Sequence, residues 1–243
     1  MITNAHLHLN NSYSPDDLKK QMVCFCAGSE TEWETVTAFV RDLARDTCSL
    51  VSVGVHPWSL ESGSQSQLAW LERLLQRCSN EVAAIGECGI DLYTQGLKAV
   101  LPLQLAVFEA QIELALRYEK PLVIHCRRSV QYFFKYAPRL KKLPSVIFHA
   151  FPGTISECES LLRSGINAYF SFGGVFLRGG KKAVECVARL PDDRLLFETD
   201  VDEGAPAAIA EVFAAAADMR GVSVSELEAV CGENFRRAFG LKK

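Results

Sequence analysis

A chain of 243 residues, 49% hydrophobic and 23% charged, has the make-up of one large globular domain, which excludes a disordered or fibrous protein. Its 26 basic and 29 acidic residues leave a net charge of −3, which argues against a broad electrostatic grip on duplex DNA or anionic lipid but leaves room for a local basic patch. No apolar run nears the ~20 residues of a membrane span, the start shows no export signal, and the nine cysteines contain no Cys-x-x-Cys pair. Reduced thiols and a cytoplasmic location are therefore expected.

In chain order, eight short apolar runs read as strands: Ile2 to Leu9, Met22 to Ala27, Leu50 to His56, Val82 to Ile90, Pro121 to Cys126, Ser145 to His149, Asn167 to Phe172 and Arg194 to Thr199. The segments between them carry helix signals. Ser14-Pro15-Asp16-Asp17 reads as an N-cap with proline at the first helical position. Ser64 to Gln67 is the most polar stretch and reads as a loop. Apolar residues at 105, 108, 112, 115 and 116 mark one face of a helix, which Pro121 keeps from running on. Strand and helix in strict alternation predict a parallel sheet with right-handed crossovers. Eight such units are the size of a (β/α)8 TIM barrel, slightly irregular, in one domain over residues 1–243. The rival doubly wound sheet usually carries a glycine-rich phosphate turn, and none occurs in this chain.

All five histidines, His6, His8, His56, His125 and His149, fall at or just past the C-terminal end of an expected strand, the face where such barrels keep their active sites. His6 and His8 are two apart, which on a strand points both rings to one side, and the same parity turns Asn4 inward. Glu87, between glycines at the end of an apolar run, and Asp200, closing Leu196-Phe197-Glu198-Thr199-Asp200, would be costly to bury without a positive partner. Four histidines and two carboxylates make a mixed nitrogen and oxygen set suited to zinc, manganese or a related divalent ion. Six donors exceed one tetrahedral catalytic site, so two ions sharing a carboxylate fit better. Cys88 and Cys126 each follow such a residue and should face the helices as inert thiols. Phe151 and Phe176 are equally suited to stacking on a base and to core packing.

His6-Leu7-His8-Leu9, Gly54-Val55-His56-Pro57, Ile85-Gly86-Glu87 through Asp91, Gln104, Phe108, Gln111, Pro121 through Arg127, His149-Ala150-Phe151-Pro152-Gly153, Tyr169 to Phe172, Leu196 to Asp200 and Asn234 occur in that order. In them the chain resembles the TatD family of metal-dependent hydrolases over nearly its whole length. The resemblance implies a metal-dependent deoxyribonuclease, often a 3′ to 5′ exonuclease, with two divalent ions (Zn, Mg or Mn). It implies that His6, His8, Glu87 and Asp200 hold the first ion and Glu87, His125 and His149 the second. Water between them would attack phosphorus with Asp200 as general base, Arg127 would clamp a phosphate oxygen, and His56 would contact substrate. Single-stranded DNA ends are the expected partner, acted on by a monomer away from any membrane. Two departures stand out: Asn4 where the family usually has Asp, which bears on metal affinity, and Asp202, a negative charge at the mouth that disfavours a polyanion. The alternatives are a hydrolase of amides, lactones or small phosphoesters on the same barrel, and a metal-binding homologue without turnover.

Overall fold

Parallel strands are laid down in sequence order, each hydrogen-bonded to the next: β1 (Ile2–His8), β2 (Gln21–Ala27), β3 (Cys48–Val53), β4 (Ala84–Asp91), β5 (Leu122–Arg127), β6 (Val146–Phe148), β7 (Ala168–Phe172) and β8 (Leu195–Phe197). Between and after them run α1 (Glu30–Asp42), α2 (Ser64–Cys78), α3 (Gln95–Ala99), α4 (Leu101–Arg117), α5 (Val130–Leu140), α6 (Ile155–Arg163), α7 (Gly174–Leu177), α8 (Lys181–Arg189), α9 (Ile209–Arg220) and α10 (Val224–Ala238). The computed structural model describes residues 1–10, 13–43, 47–62, 64–200 and 209–241. Asp202, expected at the mouth, lies outside the described residues. The fold is the (β/α)8 barrel that the alternation predicts, and all eight expected strands are present.

Two expectations fail locally. Ser14 does cap Asp17 reciprocally, but only a 3-10 turn, Pro15–Leu18, follows, because β2 resumes at Gln21 and leaves no length for a helix. Ser64 to Gln67 is the first turn of α2 rather than a loop. The buried face of α2 starts at Trp70 and continues through Leu71, Leu74 and Leu75, and Gln65 and Ser66 ahead of it are exposed, so the polarity there carries no information.

Strand side chains alternate between two apolar layers. Val23, Phe25, Val53, Ile85, Ile124, Phe148, Phe170 and Phe197 belong to an outer layer shared with helix residues such as Trp33, Leu71, Phe108, Phe133 and Phe213. Ala5, Met22, Cys24, Ala84, Val123, Ile147, Tyr169 and Leu196 fill the barrel interior together with Phe235, Ala238 and Phe239 from the end of α10. That helix is started by a Ser223–Glu226 capping box. It is held at the end where the strands begin: Asn234 Nδ2 donates to the Leu195 carbonyl at 2.9 Å, and Ser145, just before β6, donates to the Ala238 carbonyl.

Alternation breaks at two places. In β1 the register against β2 passes from Asn4↔Val23 to Leu7↔Phe25, so Ala5 and His6 together oppose Cys24. In β4 the register against β5 passes from Ile85↔Leu122 to Cys88↔Ile124, so Gly86 and Glu87 together oppose Val123. Each extra residue is a bulge that re-aims a side chain, and the two side chains re-aimed are His6 and Glu87. Asn4 is thereby left at the register of Val23, an outer-layer residue, which corrects the expectation that it faces inward beneath the histidines. Its amide works at the β8–β1 seam instead, where Thr199 N–H donates to Asn4 Oδ1 at 3.1 Å and Asn4 Nδ2 donates to Thr199 Oγ1 at 2.9 Å. A carboxylate could not supply that donor.

Candidate metal centre

At the C-terminal end of the strands, every histidine of the chain places a ring nitrogen within 3.4 Å of one carboxylate, that of Glu87. Oε1 meets His149 Nε2 at 2.6 Å, His125 Nδ1 at 2.7 Å and His56 Nε2 at 3.1 Å. Oε2 meets His8 Nε2 at 3.3 Å and His6 Nε2 at 3.4 Å. The bulge in β4 makes this possible, and it requires glycine on both sides. Gly86 and Gly89 have φ of 144° and 146°, and a Cβ would run into the carbonyl oxygens of Val123 and His125 respectively.

Asp200 stands at the rim, its side chain 23% exposed, with Oδ1 3.7 Å from His6 Nε2 and Oδ2 3.8 Å from His149 Nδ1. Ala150, next to His149, and Asp200 itself have φ of 39° and 40°. Two non-glycine residues in the left-handed region, each costing roughly 1 kcal/mol or more, mark a place where side-chain aim outweighs backbone comfort. The carboxylate of Glu198, fully buried, accepts the Ala150 N–H at 2.6 Å and so fixes the turn that carries His149.

The groups around Glu87 perturb one another. Burial raises the Glu87 carboxyl, but the surrounding imidazoles, His149 and His56 foremost, outweigh it and hold it well below the usual range. Burial pulls His149 and His125 down, and carboxylates more than offset it: Glu87, Glu198 and Asp200 for His149, Asp91 and Glu87 for His125. His56 is different, since burial outweighs its carboxylate partner and lowers it. Its Nδ1 accepts the Trp58 backbone N–H at 3.1 Å, which leaves the proton on Nε2, facing Glu87.

The donor set fits a divalent cation. Five imidazole nitrogens converge on a buried carboxylate with roughly four acceptor positions. His6 Nε2 and His8 Nε2 lie 3.1 Å apart, and His149 Nε2 and His125 Nδ1 3.3 Å apart, contacts that suit lone pairs aimed at one shared cation. His6 Nδ1 and His149 Nδ1 are buried without a hydrogen-bond partner. Three donor groups could each hold an ion: His6, His8, Cys26 and Glu87; His6, His149 and Asp200; and, once His56 gives up its Nε2 proton, His56, Glu87 and His125.

Four residues of the site carry no role in the sequence reading. Asp91, buried at the end of β4, takes His125 Nε2 at 3.0 Å on Oδ2, the oxygen that also accepts the Trp58 indole N–H at 2.8 Å. A carboxylate on the far nitrogen orients a ligating imidazole and raises its basicity. Cys26, from β2, accepts the Glu87 backbone N–H on its sulfur at 3.2 Å; burial, reinforced by Glu87, holds its thiol well above the usual range. Trp58 is 49% and Tyr93 47% exposed, which makes them the aromatics available to a base. Phe151 and Phe176 are 2% and 3% exposed and belong to the outer core, so core packing is their role. Arg127 closes β5 opposite Asp91, its guanidinium carbon 3.8 Å from the centre of the Tyr93 ring. Cys88 and Cys126 face the outer core as expected, and burial pushes the Cys126 thiol up to about 12.

Two α4 amides anchor the strand ends that carry these groups. Gln104 Oε1 accepts the Asp91 N–H at 2.8 Å while its Nε2 donates to the Asp91 carbonyl at 3.0 Å. Gln111 makes the same pair of bonds to Val55, beside His56, at 2.8 and 3.1 Å. The open cavity above the cluster measures about 300 Å³ and is lined by His8, Cys26, His56, Trp58, Glu87, His125, His149 and Asp200 among others.

The model of the family described as TatD related DNase matches residues 4–240 of this chain. A 3′-5′ ssDNA/RNA exonuclease TatD of Erwinia billingiae is 31% identical over 205 residues, covering 78% of this chain and 77% of its own length. A metal-dependent hydrolase of Bacillus subtilis, YabD, is 27% identical over 262 residues, covering 98% of this chain and 99% of itself. Among solved structures, the TatD homologue YjjV of Escherichia coli superposes with a TM-score of 0.80 at 25% identity, covering 91% of this chain and 87% of that one.

Proposed function

This chain belongs to the TatD related DNase family, and from that premise we propose that it is a divalent-metal-dependent phosphodiesterase that removes nucleotides from the 3′ ends of single-stranded DNA. The observation that carries the reading is the convergence of five imidazoles on Glu87 beneath an open cavity. We assign His6, His8, Glu87 and Asp200 to one ion and Glu87, His125 and His149 to a second, with zinc, manganese and magnesium as the candidates. Bound there, such ions acidify water and neutralise phosphate charge. The whole chain, 1–243, is taken as one catalytic domain.

The protein's own groups then divide the work. Glu87 gathers the imidazoles at one point, and His56 steadies it by donating from Nε2. Asp200, at the rim and partly exposed, accepts the proton of the attacking water. Arg127, stacked on Tyr93, offers a planar fork of donors to a phosphate. Trp58, pinned by its indole N–H to Asp91, presents a face to the terminal base, a sequence-tolerant contact worth about 1–3 kcal/mol. A local grip of this kind suits a chain of net charge −3.

No helix among the described residues is long and apolar enough to cross a membrane. All nine cysteines are free, which supports action in a reducing, cytoplasmic setting. The test is release of nucleotides from a labelled single strand with Mn, Mg or Zn. Glu87→Gln is expected to lose about a thousandfold or more of the rate, some 4 kcal/mol. Equal release by both proteins, or release indifferent to chelation, overturns the proposal.

A further inference from the structure

Cys26 sits in the donor group of His6, His8 and Glu87, whose ligand atoms all lie within 4.8 Å of one another. Its place there is built into the fold. In the parallel register of β1 and β2, Cys26 is the partner of His8, so the two side chains emerge side by side on the inner face. The sulfur lines the cavity although the residue is only 3% exposed, and the Glu87 backbone N–H holds it in position at 3.2 Å. The other donors already converge there: His6, fully buried in the same group, aims Nε2 at it, 3.1 Å from His8 Nε2 and 3.4 Å from Glu87 Oε2.

The other cysteines do not share this setting. Cys88 and Cys126 face the outer core, Cys24 lies in the interior apolar layer, and Cys158 and Cys186, 3.9 Å apart, are buried between α6 and α8.

We propose that Cys26 is a thiolate ligand of the ion held by His6, His8 and Glu87, and that it biases this position towards thiophilic divalent ions, zinc or cobalt, over magnesium and manganese. The preference follows from softness. Two imidazoles and a carboxylate accept any of these ions, whereas a thiolate selects against the hard ones. On binding, the S–H bond gives its proton to solvent and a sulfur–metal bond replaces it; no electron is transferred. The inference rests on the metal-dependent reading of this site and adds to it which ion the first position takes.

Cobalt(II) titration of the reduced protein tests it by a readout independent of turnover. A sulfur-to-cobalt charge-transfer band in the near ultraviolet is expected, lost in Cys26→Ser and kept in Cys24→Ser. Zinc affinity, measured by competition with a chromophoric chelator, should fall about tenfold or more in Cys26→Ser while manganese affinity changes little. X-ray absorption of the zinc-loaded wild-type chain needs no variant and should show a sulfur shell at about 2.3 Å, one sulfur per two zinc ions when both positions are filled. Zinc or cobalt bound by nitrogen and oxygen alone overturns the thiolate assignment and leaves the nuclease proposal intact; failure to bind any divalent ion overturns both.

Discussion

Where the strands begin, Phe235, Ala238 and Phe239 of α10 share an apolar cluster with Met22, Tyr169 and Leu196; where they end, five histidines and two carboxylates crowd a cavity open to solvent. The same eight strands support both. At the closed end each side chain removes apolar surface from water, roughly 1.5–3 kcal/mol for a large one. At the open end buried polar groups, positive-φ residues and unpartnered ring nitrogens are all costs. The barrel separates what holds it together from what it does, so a change at one end should leave the other largely untouched.

The largest effect that would expose this division is Phe235→Ala. Emptying this apolar plug, formed by Phe235, Ala238 and Phe239, should cost about 3–5 kcal/mol in denaturant unfolding, while the exonuclease rate per folded molecule stays at the wild-type value. Asp91→Asn should do the reverse. With the carboxylate behind His125 gone, metal affinity should drop about 10- to 100-fold in a chelator competition, with a smaller change in unfolding. Asn4→Ala sits between the two ends. It removes both seam hydrogen bonds and leaves the Thr199 N–H without its acceptor, for an expected loss of about 1–2 kcal/mol, read as a Tm lower by roughly 2–8 °C. A rate per folded molecule that falls with Phe235→Ala, or a metal affinity indifferent to Asp91→Asn, would show that the ends are coupled after all.

The architecture could be read from the chain because the barrel repeats one simple rule: eight β-rich runs, each followed by a helix or turn. His125 and His149 were equally legible, since β5 and β6 pair regularly and keep each ring on the inner face. Asn4 was not. Strict alternation puts Asn4, His6 and His8 on one side, and only the pairing with β2 reveals the extra residue that separates Asn4 from the others. A bulge is a property of two strands, and one strand's sequence does not contain it. The place of Cys26 is hidden in the sequence for a related reason. Nothing within β2 distinguishes it from Cys24, and its meaning comes from standing opposite His8 and accepting the Glu87 N–H. Nothing in the sequence sets the exposed Trp58 and Tyr93 apart from the buried Phe151 and Phe176, because exposure is decided by the loops rather than by the aromatic residue itself. The polar start of α2 misled because a helix turn facing water needs no apolar residue.

The plug also bears on when the protein can act. Residues 235 to 239 follow all eight strands along the chain, yet they complete the apolar filling of the barrel. During synthesis the first strands emerge long before the side chains that seal them beneath. The interior therefore stays open to water, and the fold that carries the histidines is incomplete, until residues 235 to 239 have left the ribosome. On the proposed function, a growing chain would be barred from attacking nucleic acid beside its own translation machinery, with the delay set by the order of segments along the chain and not by any inhibitor.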